Sequence, residues 1–346
     1  MKKLHLIQVG VGGWGWSWAE IVKHSKDWEA VAYVDVSKDN LTKAANFYNM
    51  SENNCYNDFD EALKKVEADA VLCVTPPEFH ADITIRALES GLNVLVEKPI
   101  ADTLDKAKMM VKAAEKYGLK LMVSQQYRFK RGPRTVRKIV RERIAGTPSY
   151  IIINFHKSPT FPANSFRYRM PYPLLMDMSI HHIDTLRSIL DKEPVSVYAE
   201  TWNTEWSSFK GDPVAFLSLK MEDNVRAIYI GSWVSQKWET TWDGDWRIVC
   251  NEGEIHWSGN KIFVKAPIFY TVYTRGMLER DGVLEAELIP MDLEERDYSL
   301  HEFAESIRQD RVPETSGDDN LKTFATVLAS IDSAREKKEM FIKDYL

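Results

Sequence analysis

The sequence predicts an α/β protein that begins with a doubly wound parallel sheet. Short apolar segments alternate with helical patterns from Leu4 to Ser124, and a glycine-rich turn follows the first of these segments. Strands that alternate with helices imply parallel pairing with right-handed crossovers. From Val195 to Ile289 the pattern changes to a series of strands. We therefore expect two domains, with residues 1–125 in the first and residues 126–317 in the second.

Length and composition limit the classes of protein that this sequence can encode. The chain has 346 residues, of which 44% are hydrophobic and 28% charged, so a sizeable core is available. A net charge of −6 argues against general affinity for nucleic acids or anionic membranes. The three cysteines are scattered, and no apolar run is long enough for a signal peptide or a membrane span. We expect a cytoplasmic protein.

The glycine-rich turn has the spacing of a dinucleotide-binding motif. Gly10, Gly12 and Gly15 fit G-x-G-x-x-G, with an apolar strand before them and a helical pattern after them. In this motif the first glycine permits the turn, the second lets the backbone approach a pyrophosphate, and the third lets helix and strand pack closely. The amino terminus of the helix then presents N–H groups to the phosphates.

An acidic residue follows the second strand where a ribose would be recognised. The apolar run Ala30–Val34 ends at Asp35, and a carboxylate there accepts hydrogen bonds from the adenosine ribose, which favours NAD over NADP. Ser37 and Lys38 follow closely and soften that preference, so NADP stays open. A doubly wound domain without nucleotide is the alternative.

Two loops further along add candidates for the cofactor site. Thr75-Pro76-Pro77-Glu78-Phe79-His80 and Glu97-Lys98-Pro99 each follow an apolar strand, and ligands of parallel sheets bind at the carboxyl ends of strands. The residues that we expect to line the cofactor site are Gly10, Gly12, Gly13, Trp14, Gly15, Asp35, Val36, Thr75, Pro76, His80, Glu97 and Lys98.

Lys98 is also a candidate catalytic residue. A lysine at the end of a strand near a nicotinamide stabilises an alkoxide or polarises a carbonyl. The alternative is a surface lysine paired with Glu97.

A titratable cluster appears on a helix in the second half. If residues 174–189 form one α-helix, Asp177, His181 and Asp184 share a face, because they are four and three residues apart. A histidine titrates near neutrality and suits a general base. A metal site made of these three residues is the alternative, although His182 points elsewhere and no second ligand cluster is visible. We therefore predict no metal.

The segment before this helix is long and irregular. Residues 157–173 carry proline, aromatic and arginine side chains, and loops of this kind often cover a substrate. A plain oligomer contact is the alternative. The residues expected to bind substrate are Lys98, Tyr127, Arg128, Asn164, Arg167, Asp177 and His181.

Tryptophans crowd the strand-rich half. They serve as core, as a dimer interface on one face of the sheet, or as stacking platforms for a sugar. The positions concerned are Trp202, Trp206, Trp233, Trp238, Trp242, Trp246 and Trp257.

Three stretches together resemble the Gfo/Idh/MocA family of oxidoreductases. They are Gly10-Val11-Gly12-Gly13-Trp14-Gly15, Glu97-Lys98-Pro99 and the segment from Asp177 to Asp184, and their order and separations match the family over nearly the whole chain. One departure is Ser179, where family members often have glycine.

The resemblance implies a Rossmann domain followed by an α/β domain with a large, open, mostly antiparallel sheet. It also implies that Lys98, Asp177 and His181 form the catalytic set, that the Lys98–Pro99 bond is cis, and that a late helix at about 318–337 packs on the first domain.

The function expected from the residues and the resemblance is NAD(P)-dependent oxidation of a sugar or polyol hydroxyl. His181 would remove the hydroxyl proton, Lys98 would hold the oxygen, and Asp177 would orient His181 or bind a neighbouring hydroxyl. The partner is a small carbohydrate, with no nucleic acid or membrane, and the chain forms a homodimer or homotetramer through its second sheet. An NAD-dependent glycosidase of the same fold and a non-catalytic NAD-binding regulator are the alternatives.

Overall fold

The protein, seen in a computed structural model, divides into two compact units. The structure describes residues 2–266, 277–280 and 283–346. One unit comprises Met1–Gln126 and Leu293–Leu321, and the other comprises Tyr127–Asp292 and Lys322–Leu346. The chain thus passes from the first unit to the second, returns, and enters the second again. The domain limits expected from the sequence, and the position of the late helix, remain predictions.

The first unit contains a six-stranded sheet in which every pairing is parallel. The strand order β3-β2-β1-β4-β5-β6 places the first strand at the centre, so the order reverses beside it. This is the doubly wound arrangement that the alternating pattern predicts, and the prediction is confirmed. The strands are Leu4–Val9 (β1), Trp28–Val34 (β2), Cys55–Tyr56 (β3), Ala70–Cys73 (β4), Asn93–Glu97 (β5) and Leu121–Ser124 (β6).

Helices follow the strands of this unit, and residues typical of helix ends begin and end them, as α5 (Leu104–Tyr117) shows. Thr103 accepts a hydrogen bond from the backbone N–H of Lys106 and so caps α5, and Gly118 ends it with a φ of +65°. The helices are Trp14–His24 (α1), Lys38–Tyr48 (α2), Phe59–Lys65 (α3), Pro77–Glu89 (α4), Leu104–Tyr117 (α5) and Glu295–Arg308 (α8).

The second unit is built on a ten-stranded mixed sheet. Its order is β14-β15-β13-β12-β11-β7-β10-β9-β8-β16, and only the pair β7 and β10 is parallel among the pairings described. The large, mostly antiparallel sheet implied by the resemblance is confirmed. The strands are Pro148–His156 (β7), Pro194–Trp202 (β8), Val214–Met221 (β9), Arg226–Ser232 (β10), Asp245–Cys250 (β11), Glu254–Ser258 (β12), Lys261–Lys265 (β13), Met277–Arg280 (β14), Val283–Ala286 (β15) and Met340–Phe341 (β16).

Side chains alternate between the two faces of this sheet. In β7, Ile151, Ile153 and Phe155 are buried, whereas Tyr150 on the other face is exposed. The other face also leaves Ile228 and Phe263 partly exposed. One face therefore forms the core of the unit, and the described residues leave side chains of the other face exposed.

Two helices of the second unit have irregular ends. One runs from Arg131 to Arg141, and Arg143 has a φ of +54°, which cannot continue it. The predicted helix 174–189 begins with a π-helical turn at Leu175–Ser179. The α-helices are Arg131–Arg141 (α6), Ile180–Leu190 (α7) and Gly317–Glu336 (α9), of which α9 contains the boundary between the units.

The tryptophans of the second unit fall into two groups. Trp233, Trp246 and Trp257 are buried and belong to the core, as one of the sequence alternatives states. Trp206 and Trp238 are exposed, as are Trp202 and Trp242 to a smaller degree. Across the described residues, no helix combines the length and the apolarity needed to span a bilayer.

Candidate active site

The glycine turn of the first unit leaves no room for side chains at its two ends. Gly10 has a φ of +91°, and a Cβ atom there would lie 2.5 Å from the carbonyl oxygen of Val74. A Cβ atom at Gly15 would collide with the carbonyl oxygen of Gly10. The buried Gln8 side chain donates to the carbonyl oxygens of both glycines, at 3.0 and 2.7 Å, which fixes the turn. The tight turn and close helix packing inferred from the motif are thus both present.

Gly12 meets a neighbour that the motif alone does not reveal. A Cβ atom at Gly12 would lie 2.5 Å from the side-chain nitrogen of Asn40. That nitrogen donates to the Asp35 carboxylate at 3.2 Å. Gly12 therefore protects the contact that orients the acidic residue. Gly13, with a φ of +48°, has open space on the side where a Cβ atom would point.

The amino terminus of α1 suits an anion. The helix begins at Trp14, no side chain of the described residues caps it, and its first turn contains no acidic residue. Backbone N–H groups at such an end carry a partial positive charge and bind phosphate. The residues present therefore fit the pyrophosphate of a dinucleotide.

Asp35 is held at the end of β2 by three hydrogen bonds. Its Oδ2 accepts from the backbone N–H of Val11 at 2.9 Å, and its Oδ1 accepts from the N–H of Ser37 at 2.8 Å and from Asn40. A carboxylate fixed in this way can still accept ribose hydroxyls and would repel a 2′-phosphate. The next residue, Val36, is 93% exposed.

Glu97 is the centre of a buried hydrogen-bond network. Its Oε1 accepts from the indole nitrogens of Trp14 at 2.9 Å and Trp18 at 2.8 Å, and its Oε2 accepts from the backbone N–H of Lys98 at 2.9 Å. Glu97 is only 4% exposed, so these donors replace water around its charge. The network joins the start of α1 to the end of β5.

Arg296 completes this network and was missed in the sequence. Its guanidinium lies 4.4 Å from the centroid of the Trp14 ring and 5.5 Å from that of Trp18. Its Nη1 donates to Ser17 at 2.6 Å. Burial lowers the pKa of Arg296, while the charge of Glu97 opposes that change. No local pattern connects a residue of α8 to the glycine turn, so nothing in the sequence signals this contact.

The two remaining loops are joined through His80. Its Nε2 lies 2.8 Å from the carbonyl oxygen of Thr75, and its Nδ1 lies 3.0 Å from that of Pro99. Burial lowers the pKa of His80, and these carbonyl oxygens oppose the change because they favour a protonated ring. The imidazole is fully buried, so the structure gives it a loop-joining role. Direct contact with NAD remains a prediction for His80, as for Thr75 and Pro76.

Lys98 is half-buried at the end of β5. Its peptide bond to Pro99 is cis, as the family resemblance implies. Glu97 Oε2 accepts a hydrogen bond from the backbone N–H of this lysine, and the ion pair with Glu97 stays an alternative for its side chain.

In the second unit the three titratable residues lie on two consecutive helical elements, Asp177 in the π-helical turn and His181 and Asp184 in α7. Asp184 is fully buried in α7, where Arg128 donates to it from Nε at 2.7 Å and from Nη2 at 2.5 Å. Thr323 donates to the same carboxylate at 3.0 Å. Asp177, within the π-helical turn, accepts from Arg167 Nε at 2.5 Å instead. Asp184 thus supports the fold, and the catalytic pairing of Asp177 with His181 remains a prediction.

His181 lies in the first turn of α7 and is 3% exposed. Its ring stacks on that of Tyr127, with centroids 4.4 Å apart and planes at 22°. The Lys130 ammonium lies over the Tyr127 ring, 4.7 Å from its centroid, and forms an ion pair with Asp243 at 2.6 Å. The stacked ring fixes the plane of the imidazole, which a positioned base requires.

His182, the residue after His181, belongs to a buried hydrogen-bond chain. His182 Nε2 is 3.0 Å from the carbonyl oxygen of Trp242, and its Nδ1 is 3.2 Å from the hydroxyl of Tyr229, which Ser179 contacts at 3.0 Å. A carbonyl only accepts, so Nε2 carries the proton, Nδ1 accepts from Tyr229, and Tyr229 accepts from Ser179. Burial lowers the pKa of His182 to about 4, which keeps this tautomer neutral.

This chain explains Ser179, the departure from the family pattern. The serine hydroxyl supplies the first donor of the chain from within the π-helical turn. A glycine at this position would leave Tyr229 without that donor.

The other predicted substrate residues lie in different settings. Arg128 is buried, and two N–H groups of its guanidinium donate to Asp184. The geometry therefore favours a structural role, and its substrate contact remains a prediction. Asn164 and Arg167 belong to the loop before the π-helical turn, where Arg167 also lies 5.0 Å from the centroid of Phe161. Among the described residues no cluster of three or more His, Cys, Asp or Glu side chains is arranged to hold a metal ion.

Comparison with known proteins identifies the family. A model described as "Oxidoreductase family, NAD-binding Rossmann fold" matches residues 5–125, and a GFO/IDH/MocA C-terminal domain model matches residues 134–256. The chain belongs to the Gfo/Idh/MocA family. Its cofactor is NAD, in agreement with the first of these models and with the glycine turn and Asp35.

Relatives within the Gfo/Idh/MocA family include dehydrogenases of known name. A D-apiose dehydrogenase from Paraburkholderia graminis is 26% identical over 91% of this chain and 83% of its own. An inositol 2-dehydrogenase from an Arthrobacter species is 32% identical over 40% of each chain. An oxidoreductase from Agrobacterium radiobacter, solved with NAD+, L-tartaric acid and magnesium, has a TM-score of 0.88 at 21% identity over all of both chains, which shows a shared fold.

Proposed function

We propose that this protein is an NAD-dependent dehydrogenase that oxidises a hydroxyl group of a sugar, a polyol or a sugar derivative, or reduces the corresponding carbonyl. The observation that carries the proposal is the Asp35 carboxylate, fixed by Val11, Ser37 and Asn40 beside a glycine turn that opens onto an uncapped helix. Membership of an oxidoreductase family and relatives named for sugars and polyols support the substrate class.

When bound, NAD supplies the acceptor or donor of hydride at its nicotinamide. We assign the removal of the hydroxyl proton to His181, whose plane is fixed by Tyr127. Asp177 orients His181 or binds a neighbouring hydroxyl of the substrate, and Arg167 Nε donates to its carboxylate at 2.5 Å. Lys98 binds the reacting oxygen through its ammonium group and stabilises the charge that develops there.

Variants of the assigned residues test these roles. Lys98→Ala and His181→Ala should each reduce turnover on the best substrate by about a hundredfold or more, since positioned acid–base groups contribute at least this much. The matched controls are Lys112→Ala and His24→Ala, which alter exposed residues. If both active-site variants keep wild-type turnover, the assignment of these residues is wrong.

We propose that two or four copies of the chain assemble through the open face of the second sheet. Ile152 and Ile228 are register partners at the centre of this face, and Tyr150 and Phe263 lie on it partly exposed. A second copy would cover these apolar side chains. Ile228→Glu should lower the mass found by light scattering, and an unchanged mass would contradict this interface.

We also propose the cytoplasm as the compartment of this enzyme. Cys55, Cys73 and Cys250 are all free, as expected for a reducing environment. Tagged protein in fractionated cells should follow a cytoplasmic marker.

A further inference from the structure

A cleft in the second unit combines aromatic and cationic side chains. Its volume is about 530 Å³, within the range of roughly 300–1,000 Å³ that is usual for small-molecule sites. It lies beside the short helix Phe166–Arg169 of the loop that precedes the π-helical turn. The residues that line it are Phe161, Ala163, Tyr168, Arg169, Ser208 and Lys210.

The aromatic side of the cleft is rigid. The Tyr168 hydroxyl accepts from the backbone N–H of Phe161 at 3.0 Å and donates to its carbonyl oxygen at 3.3 Å. The ring of Phe209 packs against that of Tyr168, with centroids 5.1 Å apart, and against that of Trp233, with centroids 5.8 Å apart. Phe161 also packs against Trp233, with centroids 5.4 Å apart. Fixed rings of this kind stack on the apolar face of a sugar with little loss of conformational entropy.

The cationic side of the cleft has charge to offer a ligand. Within the part of the chain that the structure describes, neither Arg169 nor Lys210 forms an ion pair with a carboxylate. Arg169 Nη1 donates only weakly to the carbonyl oxygen of Asn164, at 3.3 Å, and both residues are exposed. The backbone N–H of Lys210 donates to the carbonyl oxygen of Tyr168 at 2.8 Å, which fixes the lysine beside the aromatic wall. Two cations at one cleft attract an anion.

We infer that this cleft binds the anionic end of a sugar derivative. The sugar ring stacks on Phe161 or Tyr168, its carboxylate or phosphate pairs with Arg169 and Lys210, and Ser208 binds a hydroxyl. Because Arg167 of the same short helix contacts Asp177 at 2.5 Å, a ligand held by Arg169 lies next to the segment that carries a proposed catalytic residue. That this ligand is the substrate rests on the proposed dehydrogenase function, whereas binding itself does not.

Calorimetry on the full chain, without NAD, tests the inference. The probes are D-glucuronate, D-glucose 6-phosphate and D-glucose, and the test variant combines Arg169→Gln with Lys210→Gln. The control variant combines Lys261→Gln with Lys265→Gln, which removes the same charge from exposed positions of β13. Thermal unfolding of both variants establishes that they fold. One or both anionic probes should bind wild type about tenfold more tightly than D-glucose, and the test variant alone should lose this preference.

Each outcome decides the matter. A preference for glucuronate alone identifies a carboxylate as the anion, and a preference for the 6-phosphate identifies a phosphate. Equal binding of all three probes, or a preference that survives in the test variant, overturns the inference. If the preference is present and depends on both cations but the protein oxidises no sugar, the dehydrogenase proposal fails and the binding site stands.

Discussion

The indole nitrogen of Trp14 donates to Glu97 Oε1 at 2.9 Å and thereby ties the first residue of α1 to the last residue of β5. Trp18 donates to the same oxygen at 2.8 Å, and the other oxygen accepts from the backbone N–H of Lys98. The carboxylate therefore positions two parts of the proposed cofactor site at once, the amino terminus of α1 and the loop that carries Lys98.

Glu97→Gln tests this link. An amide has only one acceptor oxygen, so it can serve either the two indoles or the Lys98 N–H, and its NH2 group then faces the remaining donor. We expect the free energy of unfolding in urea to fall by about 1–3 kcal/mol, the usual cost of an unsatisfied buried group. The exposed Glu89→Gln is the control. Equal stability of the Glu97 variant and wild type would contradict the network.

Asp35 is the residue that we propose selects NAD over NADP. Asp35→Ala removes the acceptor of the ribose hydroxyls and the charge that repels a 2′-phosphate. Calorimetry should show NAD binding weakened by about tenfold and discrimination against NADP reduced. The exposed neighbour Asp39→Ala should leave both unchanged. Unchanged NAD affinity and unchanged discrimination in the Asp35 variant would count against this role.

A variant of Arg128 can distinguish a structural role of this residue from a role in substrate binding. Arg128→Ala removes the side chain that donates two hydrogen bonds to the fully buried Asp184 carboxylate. Breaking a buried ion pair in this way costs about 3–5 kcal/mol. We expect a loss of this size in urea unfolding, compared with almost none for the exposed Arg141→Ala. A stable Arg128 variant with a raised KM would instead support the substrate contact predicted from the sequence.

His182 makes stability depend on pH. Burial lowers its pKa to about 4 in the folded protein, from an ordinary value of 6.5, so between these values the unfolded chain binds more protons. The contribution of His182 is therefore fully present above about pH 6.5 and is lost as the pH falls through about 4, by about 3 kcal/mol in all.

The variant His182→Gln should flatten the curve of unfolding free energy against pH within that window. His24→Gln, at an exposed position, should leave the shape of the curve unchanged. If the curves of the His182 variant and wild type run parallel from about pH 4 to 6.5, the buried neutral histidine is not the cause.

The residues proposed to bind the cofactor could be predicted from the sequence because their determinants are local. Gly10, Gly12 and Gly15 lie close together in the sequence, and Asp35 directly follows the next strand, so spacing alone places them. The contact between Gly12 and Asn40 is different, because it depends on where α2 packs.

The titratable residues of the second unit make contacts that spacing does not encode. Asp184 fits a helical face with Asp177 in the sequence, yet its partner Arg128 is 56 residues away, and the π-helical turn changes the rotation between the two carboxylates. Arg296 contacts Trp14 across a still larger separation. Such pairs become visible only when tertiary packing brings the segments together.

Reduction of NAD by the purified wild-type protein, followed as NADH absorbance across a panel of polyols, aldoses and sugar acids, tests the central proposal most directly. We expect substrate-dependent NADH formation with at least one member of the panel, with NAD preferred over NADP. Tight binding of NAD in calorimetry without NADH formation from any of these compounds would contradict a dehydrogenase and indicate a non-catalytic NAD-binding protein.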